Sequence, residues 1–234
     1  MDVKILPAAA AATLAVALLA GGCSNGETTD LGAAQASTDV ADGVAAEATV
    51  PLVVAEPVPS SALSQVDADG LAFMREEEKL AGDVYRALYE IWGLPIFSNI
   101  ADAEATHTSA VAELLATYRL TDPAQGLGPG EFANPDLQAL YDELVETGSQ
   151  SVTDALQVGA LIEELDITDL RLRETNEPDI DRVYSTLERG SSNHLRAFNR
   201  QLENRDITYV PIHLDQGTFD LITGTPTQRG EHDR

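Results

Sequence analysis

From Val66 onward, apolar residues return every three or four positions, the period of a helix with one buried face. Leu71, Met74, Ala81, Val84 and Leu88 predict a first helix over residues 66–92, closed by Gly93 and Pro95. A second is expected over 98–118, with Ser98 or Asn99 as its N-cap. The stretch from Asp122-Pro123 to GLGPGEFANP is turn chemistry throughout. A shorter helix, 135–147, carries Leu137, Leu140, Tyr141 and Leu144 and stops at Gly148. Ser151 and Asp154 form a capping pattern for a helix over 151–173, and Pro178 opens the last long one, 178–205. The tail, YVPIHLDQGTFDLITG, has enough apolar residues to pack on the others. Four long helices and one short one, without a strand pattern or an internal repeat, predict an all-α bundle.

Every long helix interrupts its apolar face with ionisable residues. Glu78 aligns with Met74, Ala81 and Tyr85, while Glu76 turns toward solvent and Glu77 falls at the edge. Glu104 and His107, one turn apart, share a face with Ile100, Val111 and Leu114. Glu163 continues the stripe of Leu156 and Gly159 and is followed by Asp166 and Leu170; Glu164 is rotated away by about 100° and reads as exposed. His194 lies in register with Val183, Leu187, Ser191 and Phe198.

Carboxylates and imidazoles inside an apolar bundle are costly unless paired or coordinated. The six inward residues, Glu78, Glu104, His107, Glu163, Asp166 and His194, therefore form a candidate metal site. Their donors are oxygen and nitrogen without sulfur, which suits iron, with manganese or zinc as alternatives. The competing reading is structural: buried Glu–His pairs, or a carboxylate neutralised by Arg86 or Arg196. Tyr85 is either a buried core residue or a hydrogen-bond donor beside the site. His213, His232 and Asp169 read as solvated.

The N-terminal third is of another kind. Residues 1–22 combine Lys4 with the apolar run AAAAATLAVALLA, too short for a comfortable membrane span. The small residues before Cys23, the only cysteine, and the polar SNGETTD after it resemble a bacterial lipoprotein signal with Cys23 as the lipidated residue. A plain secretory signal is the alternative. Residues 23–65 contain no Lys or Arg and are broken by proline, so they read as a disordered acidic tether, with a short apolar patch at 52–54 able to dock elsewhere. The expected location is extracytoplasmic, anchored to a membrane by lipid or else secreted. A net charge of −25 disfavours nucleic acid and anionic lipid surfaces.

Three phrases carry a resemblance: EEEKLAGDVY, GALIEELDITDL and GSSNHLRAF. Together with Glu104-x-x-His107 they resemble the ferritin-like superfamily, rubrerythrin-type proteins in particular, and within it a bacterial family, domain of unknown function 2202. The likeness spans residues 66–205, followed by a C-terminal tail at 206–234. It implies a ferritin-like four-helix bundle with one additional short helix, and a carboxylate-bridged di-metal centre of ferroxidase, peroxidase or catalase type. It departs from the pattern at Ser191, where the superfamily has glutamate three residues before His194; Asp166 is a candidate replacement, or the site holds one metal. With no cysteine beyond residue 23, a rubredoxin-like centre in this chain is excluded and any electron donor is a separate molecule. A homodimer is an assembly the resemblance admits. Non-enzymatic metal binding and a metal-free helical interaction module stand as alternatives.

Overall fold

The structure, a computed structural model, describes residues 63–225. It contains six helices in the order α1 (Gln65–Trp92), α2 (Pro95–Thr117), α3 (Pro135–Gly148), α4 (Val152–Leu172), α5 (Pro178–Glu203) and α6 (Gln216–Gly224), with no strand among the described residues. The expected signal, Cys23, residues 23–62 of the tether with its 52–54 patch, and His232 lie outside the described residues; the last tether residues, Ser64 and Gln65, cap and begin α1.

The four long helices form a ring. α1 packs on α2, α2 on α5, α5 on α4 and α4 on α1, while α1 and α5 meet across the diagonal through the rings of Tyr85 and Phe198, 5.4 Å apart. α3 braces the outside of α1 and α4, and α6 lies on α5. The all-α bundle is the fold expected from periodicity, with a second short helix, α6, that the tail pattern did not announce.

Local chemistry sets the helix ends. Ser64, Asn134, Ser151 and Asp215 each cap a helix by accepting a backbone N–H from its first turn. α2 starts one turn earlier than expected, at Pro95, with Leu94 rather than Ser98 or Asn99 at the N-cap. Pro95 reads as a stop for α1, yet its fixed φ and missing N–H also suit the first position of a new helix. Gly93 makes the corner between them: its φ of 64° is left-handed and its N–H returns to Tyr89 O at 2.7 Å.

The interior divides into two apolar clusters. One gathers Leu80, Tyr85, Phe97, Leu156, Leu195 and Phe198; the other gathers Leu71, Met74, Val111, Leu115, Ile180 and Leu187. Gly159 lets α4 and α5 approach beside the first, since a β-carbon there would overlap the Phe198 ring. On each long helix the inward polar residues fall between members of the two clusters. A polar layer thus crosses the bundle, and each buried leucine on either side contributes about 2 kcal/mol toward holding it there.

Two glutamates expected at the surface are buried. Glu76 accepts N–H groups of Ala133 at 2.5 Å and Asn134 at 3.2 Å, because the loop before α3 folds over that side of α1. Glu164 accepts Tyr209 O–H at 2.5 Å and the N–H groups of Ile212, His213 and Leu214 at 2.8–2.9 Å, which pins the tail to α4. Helix periodicity assigns faces but not what a distant loop later covers. Glu77 is likewise buried, and Asp169, expected to be solvated, is part-buried and paired with Arg173. His213 has an exposed side chain, as expected.

Candidate metal centre

The helical spacing that aligns Glu78 with Met74 and Ala81 places its carboxylate inside the ring, 1 % exposed. α2 presents Glu104 and His107 from successive turns, α4 presents Glu163 and Asp166, and α5 presents Ser191 and His194. Glu104 is the hub. Its Oε2 lies 2.7 Å from His107 Nδ1, and its Oε1 lies 2.8 Å from His194 Nδ1. Glu78 Oε2 stands 3.3 Å from His107 Nδ1, and Glu163 Oε2 stands 3.5 Å from His194 Nδ1.

Two ligand sets result, Glu78–Glu104–His107 and Glu104–Glu163–His194, each with its donor atoms within 4.8 Å of one another and the two sharing Glu104. The imidazole ring centres lie 5.7 Å apart with their planes inclined by 27°. Asp166 stands outside both sets, buried beside them. One of its oxygens meets the Ser191 hydroxyl, which also lies 3.0 Å from Leu187 O. The position that the resemblance assigns to glutamate thus supports a carboxylate from the neighbouring helix.

Around this centre, polar atoms are buried without a well-directed hydrogen bond, although the Glu–His approaches are as short as 2.7 Å: both oxygens of Glu78, Oε1 of Glu104, Oδ1 of Asp166 and Nδ1 of both histidines. Native interiors rarely leave such groups unsatisfied. Lone-pair donors converging on common points fit a bound cation and its ligand atoms better than a hydrogen-bonded core. Arginine does not neutralise them: Arg86 pairs with Asp83 and Ala101 O, and Arg196 bonds Ile222 O and Asn193.

Electrostatics agree with this. Burial pushes Glu78 and Glu163 above the usual carboxylate range, as it does Glu77, and raises Asp166 to about 7, with Glu104 and Glu163 adding to the effect. Burial would lower the histidines, but hydrogen bonding and charge from Glu104 and its neighbours outweigh it, lifting His107 to about 11 and His194 to about 10. Burial alone would raise Glu104 too; the two imidazoles reverse that and hold it well below its ordinary value. Both imidazoles are thus pushed toward the charged form, which pairs with the Glu104 carboxylate between them.

Two neighbours shape the ligands. Tyr85 donates its O–H to Glu163 Oε1 at 2.5 Å, fixing that carboxylate from the apolar side. Gly190 on α5 faces His107 so closely that a β-carbon would lie 2.6 Å from Cε1 and Nε2 of the ring. The sequence singled out Tyr85 but not Gly190, since a glycine inside a helix announces close packing without naming its partner. Glu77 was an edge residue by periodicity. Its carboxylate instead interacts with Asp169 and senses the charge of Asp166, extending the buried acidic layer toward Arg173.

The family described as "Uncharacterized protein domain (DUF2202)" matches residues 67–226, so the match runs through α6. An uncharacterized protein of Methanocaldococcus jannaschii, MJ0754, is 46 % identical over 175 residues, covering 74 % of this chain and 95 % of the relative. The crystal structure of hypothetical protein MJ0754 superposes with a TM-score of 0.71 at 44 % identity, covering 74 % of this chain and 100 % of that one. The bacterial range and the ferritin-like superfamily rest on the sequence phrases alone.

Proposed function

The chain belongs to the uncharacterized DUF2202 domain family, and on that premise we propose that it is a ferritin-like metal-binding protein whose bundle holds a two-ion carboxylate/histidine centre. One observation carries this: two three-residue ligand sets share the buried carboxylate of Glu104. Glu78 and His107 would complete one position and Glu163 and His194 the other, with Asp166 outside both and held by Ser191. Iron is the proposed metal, with manganese or zinc as alternatives on the same donor chemistry. We further propose that residues 1–65 export the domain and tether it to a membrane through Cys23.

A bound redox metal pair would supply electrons to dioxygen or peroxide. The chain's own residues do the rest. Glu104, common to both sets, would be shared by the two positions. His107 and His194 must release their protons before serving as ligands. Tyr85 restrains Glu163, and Asp166, with its pKa near neutrality, can hold or release a proton beside the centre.

A second reading, metal binding without turnover, is favoured by the closure of the centre. The surface grooves at Arg86–Asp102, Leu170–Glu188 and Arg171–Thr225 include none of the ligand residues. The ligand carboxylates are only 1–2 % exposed, which suits a substrate as small as dioxygen or peroxide, or the ion itself. Purified full-length protein loaded with Fe(II), Mn(II) or Zn(II) and assayed for peroxide consumption and Fe(II) oxidation separates the two. Metal bound with turnover supports an oxidase or peroxidase; metal bound without it supports storage or scavenging. No bound metal after loading leaves the helical interaction module.

A further inference from the structure

On the face opposite the α1–α2 hairpin, α4, α5 and α6 enclose a groove of about 450 Å³ that is unlike the rest of this acidic chain. Arg171, Arg189 and Arg196 line it, with Glu188 as the only acid among the described residues. The whole sequence has 14 basic residues against 39 acidic ones, so three arginines on one groove are a concentration of positive charge.

Arg171 is spoken for: its Nε and Nη2 reach Glu188 at 2.8 and 2.7 Å. The other two are not. Arg196 is 3 % exposed, yet among the described residues it donates only to neutral acceptors, Ile222 O at 2.9 Å, Thr225 Oγ1 at 3.4 Å and Asn193 Oδ1, and its Nε has no acceptor there. Arg189 forms no ion pair among the described residues. Ser192 is 7 % exposed, lines the groove, and its hydroxyl has no partner among the described residues. A serine inside a helix ordinarily satisfies its hydroxyl on the carbonyl four residues back; this one is left free to face the groove.

A buried guanidinium without a counter-ion is costly, and here acidic groups are plentiful elsewhere. The missing element is an anion with several acceptor oxygens. Two uncompensated guanidiniums match the charge of about −2 on a phosphate, and the Ser192 and Thr225 hydroxyls supply neutral donors of the kind that orient one. The volume lies within the usual range for small-ligand sites, about 300–1,000 Å³. We propose that this groove binds a phosphate-type oxyanion, free or as the phosphate group of a small monoester, through Arg189, Arg196, Ser192 and Thr225, independently of the metal centre.

The test is calorimetric titration of full-length, metal-free protein in a chelator with inorganic phosphate, and separately with phenyl phosphate, against chloride at matched ionic strength. Saturable binding of either is expected; binding of both assigns the site to phosphate groups on larger molecules, and binding of inorganic phosphate alone to the free ion. Arg189→Gln and Ser192→Ala, both at the groove surface, should each weaken it by about tenfold, while Arg182→Gln should leave it unchanged. A wild-type protein that does not discriminate phosphate from chloride, or variants that bind as tightly as wild type, would overturn the proposal. So would binding that emerges only on removal of residues 226–234, which would assign the groove to the chain's own carboxylates.

Discussion

Glu104 on α2 and His194 on α5 meet at 2.8 Å across the bundle, and the same carboxylate meets His107 with its other oxygen at 2.7 Å. Because Glu104 is common to both ligand sets, truncating it should harm more than truncating either histidine. Glu104→Ala is expected to abolish metal retention at both positions, whereas His107→Ala and His194→Ala each spare the other set. Metal analysis after dialysis of the three variants checks this. Equal losses in all three would argue against a shared bridging carboxylate.

Acid and base should act on the metal-free protein in a defined direction. His107 and His194 have folded pKa values of about 11 and 10, above the unfolded value of 6.5. Between these limits the native state binds more protons than the unfolded chain, so stability must fall as pH rises. Asp166, raised to about 7, adds a fall from about pH 4 to 7. Metal-free protein should therefore unfold at progressively lower denaturant concentration from pH 5 to 10. Metal affinity should rise over the same range, since the histidines must first lose their protons. Denaturation midpoints that climb with pH without metal would contradict these assignments.

Gly190 should be intolerant of even one methyl group. Gly190→Ala places a β-carbon 2.6 Å from the His107 ring, forcing the imidazole or α5 to move. A loss of about 1–3 kcal/mol in stability is expected, together with weaker metal binding. Chemical denaturation and metal titration on the same sample distinguish this from a simple gain in helix propensity, which would stabilise.

Tyr85→Phe removes the hydroxyl that holds Glu163 but keeps the ring among Phe97 and Phe198. The fold should persist while metal affinity drops by about tenfold, as for the loss of a partner that orients a ligand. Competition with a chelator measures it; unchanged affinity would make Tyr85 a core residue only.

Glu164 anchors the tail. Glu164→Ala leaves the N–H groups of Ile212, His213 and Leu214 without their acceptor, at a cost of about 1–3 kcal/mol. Hydrogen exchange should accelerate at residues 209–214 before it does in α1 or α2, and limited proteolysis should cut there first.

How much of this is legible in the sequence differs by residue. The inward placement of Glu78, Glu104, His107, Glu163 and His194 is legible because each breaks an apolar stripe of regular period, and a helix fixes which residues share a face. Glu76 and Glu164 were misplaced because their partners are backbone N–H groups more than 45 residues away, contributed by segments with no period of their own. Asp166 was singled out correctly as inward, but its pairing with Ser191 depends on how closely α4 and α5 approach. The start of α2 was missed because Pro95 carries two meanings, the end of one helix and the start of the next, and only the left-handed turn at Gly93 decides between them.

The central claim is tested most directly by the metal content of the full-length protein. After loading with Fe(II), Mn(II) or Zn(II) and removal of excess metal, mass spectrometry should find about two ions per chain, falling close to none in Glu104→Ala. Wild-type protein that emerges folded but without metal under all three conditions would contradict the account.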